Sequence, residues 1–141
     1  MVIIRKGLDK THHTCTHEEL IDEKSGYQIE NHYFVERSMQ AWAYFVKTMS
    51  SFKEGDGTLL DRTLVLAHSD QEWAKIHAIT GIPMFTAGTA GGKLKTGLHV
   101  AGAGDPGSRV GYTVMRALGM NVSGFGSGSM ATAREIGEIL V

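Results

Sequence analysis

A single cysteine, Cys15, excludes any internal disulfide and leaves the redox compartment undecided. Proline is scarce too, 2 residues against 18 glycines, so the turns fall to glycine, which is concentrated from Gly81 onward. No charge of one sign prevails: 14 Lys and Arg stand against 15 Asp and Glu, for a net charge of −1. That balance offers no basic field, so neither nucleic acid nor an anionic membrane is expected as a partner. No apolar run approaches the roughly 20 residues that span a bilayer, and the opening residues lack a signal-peptide pattern. As written, the chain is expected in the cytoplasm. Internal repeats are missing, and so is any linker long enough to divide the 141 residues. One α/β domain is therefore expected over residues 11–141, preceded by a leader or short strand over residues 1–10, whose apolar part is Val2-Ile3-Ile4.

What the chain does have is organised around residues 63–88, TLVLAHSDQEWAKIHAITGIPMFTAG. Leu64-Val65-Leu66-Ala67 suits a strand buried on both faces, and residues 82–87 form a second such run. Between them sit His68, Asp70, Glu72 and His77, four side chains able to bind a metal or move a proton. Open parallel sheets carry their chemistry where strands end. The expected architecture is thus a small, partly parallel sheet flanked by helices.

Thr16, followed three residues later by Glu19, has the form of a capping box and predicts a short helix from His17 to about Gly26. Over residues 29–52, Val35, Met39, Trp42, Val46 and Met49 recur at spacings of four and three, with Ala41, Phe45 and Phe52 beside them. This predicts a long amphipathic helix with a core-facing stripe. Gly55-Asp56-Gly57 is a turn signal, and residues 98–101 suit a short third strand. Asp105 as N-cap and Pro106 at the first helical position predict a helix with Val110, Val114, Ala117 and Leu118 inward, stopped by Gly119. A loop over residues 123–129 and a closing helix over residues 131–140 complete the reading.

Several motifs fail on context. The GxGxxG over residues 102–107 lacks the acidic residue a dinucleotide site needs, and Asp105 would face the pyrophosphate. Gly91-Gly92-Lys93 lacks the hydroxyl and spacing of a phosphate loop. Ser50 to Lys53, Ser69-Asp70-Gln71 and Lys95-Thr96-Gly97 imitate the three elements of penicillin-recognising serine enzymes, and Cys15 lies among histidines. Ser50 or Cys15 is accordingly the nucleophile of an alternative, metal-free esterase. The histidines carry a stronger signal. Three of seven fall in His12-His13-Thr14-Cys15-Thr16-His17, and His68 and His77 flank Asp70. Imidazole with carboxylate suits zinc, iron, manganese or, with more oxygen donors, calcium.

The run LLDRTLVLAHSDQEWAKIHAITGIPMFTAGTAGGKLKTGLHV, then LGM and SGFGSGS, resembles the C-terminal part of the DUF1552 proteins, which look like relatives of the alkaline phosphatase and sulfatase superfamily. The likeness runs from about Thr11 onward. By that resemblance Asp70 takes the place of the aspartate in the superfamily's metal-binding Asp-His pair, and His77 that of a later histidine ligand. His13 and His17 match an upstream motif with four-residue separation. Gln71 stands where the pair's histidine would be, so by the resemblance one metal ligand is missing or supplied by His68. The superfamily's nucleophile belongs to an N-terminal half without counterpart here, and full-length relatives are usually exported.

The resemblance then implies a hydrolase of phosphate or sulfate esters; a carboxylic ester or lactone is equally compatible. A divalent ion (zinc, manganese or calcium) would be held by His13, His17, Asp70 and His77, with water activated on the ion and His68 or Glu72 as general base. The competing expectation is a catalytically inactive truncated domain that acts by self-association or partner binding, because a sheet deprived of its neighbours exposes backbone groups. A homo-oligomer is expected on that ground.

Overall fold

The first helix starts one residue after Thr11, whose hydroxyl accepts the backbone N–H of Thr14 at 3.1 Å. The computed structural model describes Ile3 and residues 5–141. The strand or leader read at Val2-Ile3-Ile4 therefore lies, apart from Ile3, outside the described residues. Helix α1 spans His12–Glu18. It ends about where the sequence predicted a helix to begin, and Thr16 lies inside it, its hydroxyl donating to the His13 carbonyl at 2.7 Å.

Glu19 explains the correction. Its carboxylate does not fold back on its own turn but accepts the N–H groups of Glu30 and Asn31 at 2.6 and 2.8 Å. Those are orphan donors at the start of α2, Ile29–Ser51, whose own N-cap residue Gln28 makes no capping bond. The Gln28 amide points the other way, donating to the Glu19 carbonyl at 2.7 Å and, at longer range, to those of Thr16 and Cys15. Each helix end is thus completed by a side chain from the other.

Helix α2 agrees with its predicted extent, but its stripe does not face a core. Phe34 is its only buried residue, stacked on the His12 ring at 4.9 Å. Val35, Met39, Phe45 and Phe52 are exposed, and Ala41, Trp42, Val46 and Met49 are half-buried.

Gly55 and Asp56 turn the chain between β1, Lys53–Glu54, and β2, Gly57–Thr58, an antiparallel pair. Helix α3, Leu59–Arg62, follows at once, closed by a reciprocal capping box between Thr58 and Asp61. The Thr58 hydroxyl and N–H both donate to the Asp61 carboxylate and hold it below the usual carboxylate range.

Strand β3, Val65–His68, pairs with β4, Met84–Ala87, from Val65 opposite Ala87 to His68 opposite Met84. The pairing is antiparallel, which corrects the partly parallel sheet; among the described residues both small sheets are antiparallel. A parallel return needs a crossover, usually a full helix. The connection here offers only one 3-10 turn, Ala74–Ile76. Nor is β3 buried on both faces: Val65 and Ala67 are half-covered, Leu66 and His68 exposed. The mixed α/β character stands, as helices with two small sheets.

Beyond β4 the backbone closes tightly on α3. Gly88, at φ +87°, lies where a Cβ would stand 2.2 Å from the Thr63 carbonyl oxygen, so only glycine fits. Helix α4, Ser108–Ala117, begins later than predicted. Asp105 does not cap it but pairs with Arg109 and Arg134. Gly119, at φ +82°, ends it as expected. Its buried residues are Ser108, Tyr112 and Thr113 instead of the predicted apolar stripe, of which Leu118 is exposed. Thr113 is buried because its hydroxyl donates to the Arg109 carbonyl and accepts the Ile136 N–H. Residues 98–101 form no strand, and the predicted closing helix is reduced to a 3-10 turn, Gly137–Ile139. The chain end instead runs extended beside residues 93–95, through Lys95 N–H to the Ile139 carbonyl and Val141 N–H to the Lys93 carbonyl. No described helix is long and apolar enough to cross a membrane.

Candidate functional site

Positions four apart on a helix share a face, and α1 uses this to bring His13 and His17 together with ring centroids 4.5 Å apart. His12 faces elsewhere, onto Phe34. The helix is anchored by buried Cys15 and by the Glu19–Gln28 exchange. The two imidazoles are thereby presented on a fixed support.

The third imidazole arrives from the β3–β4 connection. Within residues 69–83 the 3-10 turn packs against α1. His77, just after the turn, adopts the left-handed conformation, φ 53° and ψ 42°, with its N–H donating to the Ala74 carbonyl at 3.1 Å. Its ring lies 5.2 Å from that of His17. A non-glycine residue there carries strain of about 1–2 kcal/mol, the kind that functional sites retain. Nothing in the sequence signals this conformation at a histidine.

The structure thus brings together His13, His17 and His77 from the two clusters. It does not join the remaining candidates to them: among the described residues no hydrogen bond or ion pair links Asp70, His68 or Glu72 to any of the three. Asp70 is exposed in the bend after β3, beside Ser69, whose hydroxyl donates to the Gln71 carbonyl at 2.6 Å. His68 is exposed at the strand end, its Nδ1 3.0 Å from the Ser69 carbonyl oxygen. The Glu72 carboxylate lies against Gly81, where it would meet an added Cβ at 3.0 Å. The Trp73 indole Nε1, on the same connection, is buried without a hydrogen-bond acceptor.

Two imidazoles bound tetrahedrally to one zinc at about 2.0–2.1 Å have ring centroids about 5 Å apart. The separations of 4.5 and 5.2 Å fall near that value. As the side chains stand, no three His, Cys, Asp or Glu among the described residues converge on one ion position.

The metal-free alternatives find less support. The Ser50 hydroxyl donates to the Lys47 carbonyl at 2.8 Å, one turn back on α2. Cys15 is fully buried, and burial, then Glu30 and Glu19, push its thiol pKa up, the opposite of an activated thiolate. Comparison of the chain with family models, with curated proteins and with solved structures finds no match.

Proposed function

We propose that this protein is a metal-dependent hydrolase of small-molecule esters, with His13, His17 and His77 as the metal-binding nucleus and Asp70 as the further ligand. The observation that supports it is the meeting of the α1 pair with His77, residues far apart in sequence. His13 and His77 are exposed, which leaves their side chains room to rotate toward a common ion. Asp70 lies exposed on the same connection as His77.

A divalent ion held there supplies water activation near neutral pH and polarises the ester oxygen. The chain's own residues do the rest. The imidazoles fix the position at which the ester is met, and His68 or Glu72, both exposed beside the same loop, takes the proton from the attacking water. A phosphate or sulfate ester follows from the resemblance to DUF1552 proteins; a carboxylic ester or lactone suits the same chemistry.

Hydrolysis of chromogenic phosphate, sulfate and carboxylic esters, before and after EDTA, tests the proposal. Turnover abolished by the chelator and restored by zinc or manganese is expected. Turnover that survives EDTA in full assigns the reaction to a side-chain nucleophile and contradicts it.

A further inference from the structure

Helix α2 is held at its two ends, by the Glu19–Gln28 exchange with α1 and by the Leu59 N–H donating to the Phe52 carbonyl at 2.9 Å. Between them, residues 38–46 (SMQAWAYFV) carry no charge. On one side of the helix Val35, Met39 and Phe45 are nonetheless 39–46% exposed. Solvated helix faces are ordinarily polar, so this one has the composition of a covered surface.

Area makes the same point. A close-packed monomer of 15.3 kDa exposes roughly 7,100 Å², whereas this chain exposes 9753 Å², an excess of about 2,600 Å². Obligate homodimers bury about 2,000–5,000 Å² between both partners. Each chain therefore has surface enough to contribute a full share.

The pattern of the stripe selects the occupant. Val35, Met39, Trp42, Val46 and Met49 follow the four-three alternation of a coiled-coil seam. The stripe also reads nearly the same in reverse about Trp42: Val35 and Met49 each lie seven residues away, Met39 three and Val46 four. A two-fold interface requires this self-complementarity, because residue i meets j and j meets i. At 100° per residue Glu36 and Lys47 flank the same edge of the seam, with Arg37 on the far side. Reversal about Trp42 brings Glu36 of one copy to within one residue, about 1.5 Å along the axis, of Lys47 of the other. A lipid surface fits less well, since interfacial helices are rich in Lys and Arg, and α2 sets only Arg37 and Lys47 against Glu30 and Glu36.

We infer that α2 pairs antiparallel with α2 of a second copy of this chain, about a two-fold axis at Trp42.

Sedimentation equilibrium and nondenaturing oxidative cross-linking of the full chain test this. The wild type is expected at twice the 15.3 kDa chain mass. Met39→Glu or Val46→Glu should weaken association by about a hundredfold with unchanged far-ultraviolet circular dichroism, because each drives a charge into the seam. Glu36→Lys and Lys47→Glu should each weaken it several-fold, and the double reversal should restore it. Val35→Cys mixed with Met49→Cys should cross-link, while Val35→Cys alone should not. A monomeric wild type, a dimer indifferent to Met39→Glu, or self-cross-linking of Val35→Cys overturns the inference. So does a monomer that cosediments with phosphatidylcholine and phosphatidylglycerol vesicles, which assigns the face to lipid.

Discussion

His77 bears two burdens, a left-handed backbone and, among the described residues, the imidazole that meets His17 from another element. Substitution by glycine separates them. His77→Gly relieves about 1–2 kcal/mol of strain and costs about 0.5–1 kcal/mol in chain entropy. Thermal unfolding should therefore leave stability within about 1 kcal/mol of wild type. Metal affinity, measured by competition with a chromogenic chelator, should fall by about a hundredfold or more, since even second-sphere losses cost 10–100-fold. Cys15 allows an independent check at the same scale. Its thiol pKa is raised in the folded chain, chiefly by burial, so folded and unfolded states are equally protonated below the ordinary thiol range. Above it the unfolded thiol ionises first, and stability falls as pH rises through that window toward the folded pKa. Cys15→Ala should remove this alkaline component from pH-dependent denaturant titrations, and the native wild-type thiol should resist a thiol reagent until the chain unfolds.

Between elements, the decisive joint is the exchange of Glu19 and Gln28 across the ends of α1 and α2. Glu19→Ala leaves two α2 donors without partners and should cost about 1–2 kcal/mol, and Gln28→Ala about 1 kcal/mol. The double variant should lose less than the sum in a thermodynamic cycle, because each side chain fixes the segment that places the other. The same joint shows what the sequence made legible. Apolar spacing located α2 nearly to the residue, and Gly55-Asp56 and Gly119 marked their turns, because those signals act over a few neighbours. Glu19 satisfied the local pattern of a capping box, yet its partners lie eleven and twelve residues on, at a separation no local motif encodes. Strand direction was hidden for a related reason. The apolar run before His68 suits a buried parallel strand or a half-covered hairpin strand alike, and only the single 3-10 turn in the connection decides between them. For the site, four-residue spacing made the His13–His17 face legible, whereas the arrival of His77 depends on how the connection docks. Gly88 reports instead on the closure of the chain beyond β4 onto α3: Gly88→Ala sets a Cβ against the Thr63 and Leu60 carbonyl oxygens and should cost more than about 3 kcal/mol by denaturant titration.

At the scale of the molecule, very little apolar side chain is sealed from water. Among the described residues the buried hydrophobics are Cys15, Phe34, Leu94 and Tyr112, scattered from α1 to α4. On the inferred pairing such a chain would gain cover through the uncharged face of α2, which is distinct from the histidine face of α1. Met39→Glu should dissociate copies without altering metal content, and His17→Ala should do the reverse. The proposed hydrolysis requires above all that the three imidazoles hold an ion in common. Elemental analysis of the untagged chain, purified without chelator, tests this directly. Stoichiometric zinc, manganese or calcium in the wild type, lost in His13→Ala, His17→Ala and His77→Gly, is the predicted result. A metal-free wild type that takes up none of these ions on titration, or content unchanged in all three variants, would contradict it.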